Sequence, residues 1–520
     1  MDSASSSGIE DGDDEINSLY FEIRYSSDFG RYLVAKEDID EKTLLLSEKP
    51  LVYGPTDDKE LATDTVFIFC LACCKQIFPG EVDSGQTSNG DANPKISENN
   101  LYNCSRCGWP VCDSMCERTP IHSENECKIF SHLHIPYPPP HKWLMYKSVI
   151  LLRLLLLMKR EPALWQDFLE KLEHHTDTRK NKANCVRADE VVLENLQYFI
   201  QSMKEKEVSR KIARKYRLPF SQDKDVLQRL IGVLNVNAFC ANNLITKRIA
   251  RCMFRTGSLF AHSCAPNCSW SIEISLFDKK PRRRPKNGSV ILPKVTPQIQ
   301  VYSAIPIKKG EIITIPYSTR HIFFGTLKRQ ISMESVGHFI CKCRRCMDAT
   351  ELGTFMSSIR CFKCEIGFLL SSDPTSDDAQ WICDNCECAS ICSVGKVVYF
   401  VTKIQDQIDR VESKDLEWFD EQRELQVLFD KYYGKELHEN HYLLHEISTK
   451  LVDLLEDRLN EHEDEEVQNT LQTRFAFHVK YLLKLANVIL PGFNNYQEQL
   501  KSYVEEIQNI EIVQVEANTD

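Results

Sequence analysis

Cysteine is the residue type with the most chemistry to offer in this 520-residue chain, which carries 22 of them. They come in groups. Cys70-x-x-Cys73, Cys104-x-x-Cys107, Cys112-x-x-x-Cys116 and the pair His122 and Cys127 supply eight ligands, enough for two tetrahedral zinc sites. Cys341-x-Cys343-x-x-Cys346 lacks a fourth ligand, for which Cys264 is the candidate. Cys361-x-x-Cys364 followed by Cys383-x-x-Cys386 has the spacing of a zinc ribbon, with a redox pair or free thiols as the alternative. Four complete quartets predict four structural zinc ions, each held by protein ligands with no open position. Cys74 beside Cys73 is an alternative ligand, and Cys185, Cys240, Cys252, Cys268, Cys388 and Cys392 are left unassigned.

A second stretch, Ser258-Leu259-Phe260-Ala261-His262-Ser263-Cys264-Ala265-Pro266-Asn267-Cys268, reads first as an apolar run entering a tight turn. Downstream, Gly310-Glu311-Ile312-Ile313-Thr314-Ile315-Pro316-Tyr317 is a turn and a β-branched strand ending on a tyrosine. Together they resemble the SET domain of protein-lysine methyltransferases. In that family N-H-S-C-x-P-N and G-E-x-x-x-x-x-Y cross as a knot-like pair, bind S-adenosylmethionine and line the lysine channel. The spacing between Cys104 and Cys127 resembles a MYND zinc finger. That resemblance puts Cys70, Cys73, Cys112 and Cys116 on one zinc, and Cys104, Cys107, His122 and Cys127 on the other. A MYND finger inserted in a split SET domain is identified as a member of the SET and MYND domain family. The wording of Cys104–Cys112 and of Gly30–Ala35 is most similar to its arthropod-specific branch. The match is not complete. Ala261 stands where the family has Asn, Tyr32 replaces the second Gly of a G-x-G-L-x-A-like turn, and Gly337 occupies a position where many relatives have a channel Tyr.

The resemblance implies an S-adenosylmethionine-dependent protein-lysine N-methyltransferase acting on histone or non-histone protein. Tyr317 becomes the catalytic tyrosine and Phe339 a channel aromatic. Arg31, Tyr32, Asn237, Ser258, Leu259, Phe260, Ala261 and His262 line the cofactor site with Tyr317 and Phe339. For His262 the alternative is a turn histidine bonded to backbone, and for Asn237 an ordinary helix end. The competing function is an adaptor, weakened in catalysis, that recruits protein partners in transcriptional regulation through its MYND finger and helical arm. Either way the expected partners are proteins and the expected state is a monomer in nucleus and cytoplasm. Direct binding to nucleic acid is disfavoured by a net charge of -11.

The elements that must position these residues follow from pattern. The fold class is α+β: a split SET β-fold with an inserted MYND zinc finger, C-terminal zinc sites and an all-helical C-terminal domain. Residues 1–16, acidic and rich in Ser and Gly, read as disordered, with no secretory signal. Residues 17–69 alternate as short strands, including Thr43 to Leu46, and form the first part of the SET domain. Residues 70–127 are the MYND finger, with 79–100 a loop. Residues 128–255 are a helical insertion with apolar positions at Ile150, Leu154 and Leu157, and at Val192, Leu196, Phe199 and Met203. The apolar run Trp143 to Met158 is too short to span a membrane and reads as a buried helix. Thr176 to Asn184 reads as a charged loop. Residues 256–320 are the SET core and 321–392 the zinc region after it. Residues 393–512 are five helices, tetratricopeptide-like by resemblance, and 513–520 a tail. The run Lys279 to Lys286, with six positive charges, is either a solvated hairpin loop or a nuclear-import signal.

Overall fold

The computed structural model describes residues 18–26, 29–56, 68–77, 101–139, 144–167, 169–201, 224–243, 248–274, 296–385, 388, 390–414, 416–456, 458 and 465–517. The acidic N-terminus, the 79–100 loop, Met203, the basic run 279–286 and Cys386 lie outside the described residues. The chain forms two compact units. One comprises Met1–Tyr32, Leu46–Leu259 and Ser271–Val301; the other comprises Leu33–Leu45, Phe260–Trp270 and Tyr302–Asp520.

In the first unit an antiparallel sheet carries Val52–Pro55, Arg248–Met253 and Phe239–Asn243 in that order. The helix Met145–Arg160 packs on it and is buried from Met145 to Leu157 except at Lys147. A helix apolar on every side belongs in the interior, so the buried-helix reading of this run holds. The close packing requires Gly54, where a Cβ would lie 2.7 Å from Ile150 Cγ1. Val192, Leu196 and Phe199 are buried on the helix Ala183–Gln201. The expected charged loop from Thr176 is instead the short helix Thr176–Lys180. Arg179 pairs there with Asp189 while both are buried, which gives a charged sequence a reason to be ordered. Among the described residues no helix is long and apolar enough to cross a membrane.

In the second unit Ala261–His262 pairs in parallel with Thr314–Ile315, matching Thr314 to Ala261 and Ile315 to His262. Val34 bridges Ile312 from the other side. Asn267 fixes this crossing. Its Nδ2 donates to Ile312 O at 2.9 Å, and its Oδ1 accepts from Thr314 N at 2.8 Å. Farther along, four short antiparallel strands follow in order: Ile359–Arg360, Phe368–Ser371, Trp381–Cys383 and Ile391–Cys392. Five helices then stack: Val394–Glu412, Trp418–Tyr432, Tyr442–Glu456, Glu465–Ile489 and Asn495–Ala517. The last runs to Ala517, beyond the expected end near Ile512. Gly434, at φ +65, follows the second of these helices as a left-handed stop. Trp381, Cys383 and Cys392 share one buried cluster with Leu425, Ile447 and Leu482, so the small sheet and the helices have a common core.

Candidate active site and metal centres

Tyr317 closes the strand that crosses under Ala261–His262. Its hydroxyl donates to Phe260 O at 3.0 Å, and its backbone N–H donates to His262 Nδ1 at 3.1 Å. The Tyr317 ring centroid lies 5.0 Å from His262 and 6.4 Å from Phe339, with His262 and Phe339 6.1 Å apart. Two rings, His262 and Phe339, thus flank the phenol, and the Tyr317 residue stays 42% exposed. Loss of water around the hydroxyl raises the phenol pKa although the residue as a whole stays exposed, and it is protonated at neutral pH. Its own hydrogen is committed to Phe260 O, so what it presents to a ligand is an acceptor. Burial pulls His262 down to about 4, which suits a ring whose Nδ1 must accept.

Gly337 owes its identity to space. Its φ is -94°, open to any residue, but a Cβ there would meet Phe339 Cε1 at 2.6 Å. The Phe339 ring sits where a larger residue 337 would begin.

The first unit holds the other expected cofactor residues. Asn237 ends the helix Lys224–Asn237 and donates through Nδ2 to Glu173 O at 2.7 Å and Val233 O at 2.9 Å. Ser258 Oγ donates to Phe254 O at 2.6 Å and lies 3.3 Å from Asn237 O, so these two are neighbours, and Leu259 is buried beside Ser258. Arg31 and Tyr32 lie on the strand Gly30–Ala35, with Tyr32 packed on Phe29 at 5.5 Å. Sequence reasoning missed Glu48 here. Its carboxylate accepts the N–H groups of Arg255, Thr256 and Gly257 at 2.9–3.1 Å, holding the turn that leads into Ser258. A Glu at the end of an early strand was the available signal.

Four groups of ligand atoms lie within 4.8 Å of one another among the described residues. They are Cys70, Cys73, Cys112 and Cys116; Cys104, Cys107, His122 and Cys127; Cys264, Cys341, Cys343 and Cys346; and Cys361, Cys364, Cys383 and Cys388. Two sulfurs on a tetrahedral zinc at 2.3 Å stand about 3.8 Å apart. The separations fit: 3.5 Å for Cys73 and Cys112, 3.8 Å for Cys104 and Cys127, 3.6 Å for Cys264 and Cys346, 3.7 Å for Cys364 and Cys383. A disulfide would need about 2.05 Å. Three donor sets are four thiolates and one is three thiolates with an imidazole, sets that fit zinc. In the last group the fourth sulfur is Cys388, 3.8 Å from Cys361, where the sequence pointed to Cys386. C-x-x-C spacing favoured Cys386, which lies outside the described residues, and among the described residues it is Cys388 whose sulfur completes the group. Cys74 stays out of the first group. Its backbone is left-handed at φ +59, and its thiol is pushed up by burial.

Charged groups surround these centres. His122 turns Nδ1 to Glu126 Oε1 at 2.8 Å, which leaves Nε2 toward Cys107 at 3.6 Å. Glu126 in turn takes Arg153 Nε at 2.7 Å, while Arg153 also donates to Tyr53 O and Leu71 O. Burial alone would raise the Glu126 carboxyl, yet Arg153 and His122 hold it below its usual range. The sequence carried a signal in Arg153, one of two charges in a buried apolar run. Around the Cys264 group, Arg329 donates to Cys346 Sγ at 3.5 Å and Arg345 to Cys264 O at 3.4 Å. Both reach Glu351, at 2.5 and 2.9 Å. Burial opposes ionisation of Glu351, but the two guanidiniums bring its pKa to about 2. A tetrathiolate zinc carries a net charge of about -2, and two arginines against one glutamate offset part of it.

A SET domain profile matches residues 30–318. From Drosophila melanogaster, SET domain-containing protein SmydA-8 isoform B is 25% identical over 367 residues, 69% of this chain and 64% of that protein. Isoform A is 27% identical over 371 residues, 70% of this chain and 64% of that protein. The chain thus spans 64% of the length of these curated relatives. A solved structure described as the SET domain of LSMT bound to lysine and AdoHcy aligns at 12% identity and a TM-score of 0.32, over 95% of this chain and 87% of that one.

Proposed function

Because the chain belongs to the SET domain family, we propose that it is an S-adenosylmethionine-dependent N-methyltransferase acting on lysine side chains of proteins. The observation that carries this reading is the Tyr317 hydroxyl, tied to Phe260 O inside the trio of Tyr317, His262 and Phe339. S-adenosylmethionine, when bound, supplies a sulfonium methyl group. The residues fit that chemistry. A phenol whose hydrogen is already used turns lone pairs toward an electron-poor methyl or an amine hydrogen. An ammonium with a pKa near 10.4 must lose a proton before it attacks, and aromatic walls that strip its water lower that pKa. Holding both reactants in line accounts for much of the remaining rate. The thiolate centres stand apart from this chemistry as structural sites. As domains, we assign residues 70–127 to the MYND finger and 393–512 to a helical arm available to protein partners.

The adaptor reading rests on three departures from the family pattern, of which Tyr32 in place of a Gly is one. Ala261, buried and paired with Thr314, offers no side-chain donor or acceptor, and Gly337 leaves the tyrosine site to Phe339 alone. The deciding experiment uses purified full-length protein. Calorimetric titration with S-adenosylmethionine is followed by transfer of labelled methyl groups to histones and to lysine peptide arrays. Binding with transfer supports the enzyme. Binding without transfer, or no binding, favours the adaptor. Ala261→Asn, titrated in parallel, should tighten cofactor binding by roughly 2- to 10-fold if the side chain faces the cofactor, the span of one neutral hydrogen bond.

A further inference from the structure

The His262 imidazole uses both of its nitrogens, on two different partners. Nδ1 receives the backbone N–H of Tyr317 at 3.1 Å. A backbone N–H can only donate, so Nδ1 must be unprotonated and Nε2 must carry the hydrogen of the neutral ring. That Nε2 lies 3.2 Å from Cys264 Sγ. Cys264 belongs to the thiolate quartet with Cys341, Cys343 and Cys346, and an N–H···S bond stabilises a thiolate ligand. Phe260 and Ala261 precede the same ring in the strand, and the Tyr317 hydroxyl returns to Phe260 O. The Tyr317 phenol is therefore held at two points, its hydroxyl by a carbonyl and its backbone by an imidazole, and the imidazole is braced on a metal-binding sulfur.

We propose that His262 is a positioning residue, a two-ended strut that fixes Tyr317 through Nδ1 and holds the Cys264 thiolate on its zinc through Nε2–H. This gives the imidazole a task separate from cofactor binding. The rate arm of the proposal rests on the methyltransferase reading; the zinc arm does not.

The ends can be separated by substitution. In His262→Asn the Oδ1 lies where Nδ1 was, keeping the acceptor for Tyr317 and losing the donor to Cys264. In His262→Gln the Nε2 amide reaches toward Cys264 and the Tyr317 acceptor is lost. His262→Ala loses both. The zinc-loaded full-length protein is challenged with the chelating dye 4-(2-pyridylazo)resorcinol, and the rate of release of each zinc is followed. His262→Ala and His262→Asn should release one of the four zincs about 10- to 100-fold faster than wild type, while His262→Gln stays near wild type. In methyl transfer, His262→Ala and His262→Gln should lose kcat by tenfold or more, with KM for S-adenosylmethionine within about threefold, and His262→Asn should lose less kcat than either. Release kinetics and kcat unchanged in His262→Ala would overturn the proposal. So would a loss that appears only in KM, which would make the imidazole a cofactor contact. If wild type transfers no methyl groups, the function reading fails, and the zinc-release series alone still decides the strut.

Discussion

Arg153 donates through Nε to Glu126 Oε2 at 2.7 Å, and neither side chain is exposed to solvent. The two come from different helices, Met145–Arg160 and Glu126–Leu133, and Glu126 is also the residue that orients His122. A long apolar helix and a cysteine knuckle are thereby joined by one ion pair. Removing one partner of such a pair leaves the other charge buried and alone, a loss of about 3–5 kcal/mol. Arg153→Met should lower the unfolding free energy obtained from urea denaturation by an amount in that range. Elemental analysis should find the variant short of one zinc. A variant with wild-type stability and full zinc would mean that Glu126 has another counter-ion.

Tyr317→Phe removes the hydroxyl and leaves the ring between His262 and Phe339. The contact matters most as charge moves in the transition state, where a single group of this kind contributes roughly 2.7–4 kcal/mol. The expected outcome is a 100- to 1000-fold fall in kcat with cofactor affinity within a few-fold of wild type by calorimetry. A variant that runs at full rate would remove Tyr317 from the chemistry.

Zinc content should be four per chain by plasma mass spectrometry. Cys264→Ala should lower it by one and destabilise the protein, because binding energy at a structural zinc is folding energy. Cys268→Ala should not, since Cys268 is buried outside every quartet. Cys388→Ser should also lower the zinc content by one, since Cys388 completes the fourth quartet; unchanged content would return the fourth ligand to Cys386.

Three histidines of the helical array are buried and neutral. Burial brings His441 and His445 to about 3 and His478 to about 4. The unfolded chain binds protons at these residues from about pH 6.5 downward, and the folded chain does not. Their contribution is thus present above pH 6.5 and lost as pH falls toward 4, at about 1.4 kcal/mol per pH unit for each histidine. His445 stacks on Phe323 at 4.3 Å and 13°, so His445→Phe should fill much the same space. Its urea midpoint should fall less steeply between pH 6.5 and 5 than that of wild type. Equal slopes would assign the acid sensitivity to the zinc ligands instead.

Local patterns in the sequence were read with different success for physical reasons. Cysteine knuckles and the buried helix at Met145–Arg160 depend on spacing and periodicity within a few turns, and these are visible in one dimension. The stretch at Thr176 looked like a loop because its charges had no visible partner, and Arg179 finds one only when Asp189 folds back against it. Asn267 looked like a turn residue, whereas its amide clamps the strand through Ile312 and Thr314, a contact no local rule encodes. Among the described residues Cys388 completes the quartet for which C-x-x-C spacing had named Cys386, because sulfur proximity in three dimensions, and not spacing along the chain, decides a ligand set. Glu48 reaches Arg255 to Gly257 and Glu126 reaches Arg153, partners far along the chain that spacing does not reveal.

The crossing at Asn267 also sets an order of events. Val34 meets Ile312, and Ala261 meets Thr314, across long stretches of chain. Closing such loops costs entropy before any contact rewards it, so pairings of this kind form late in folding. A cysteine knuckle needs only a few residues and an ion, and can form while the rest of the chain is still open. Tyr317 is therefore among the last residues to reach its place. The quartets divide in the same way: Cys361 and Cys388 are 27 residues apart, whereas Cys264 must wait for Cys341 across 77.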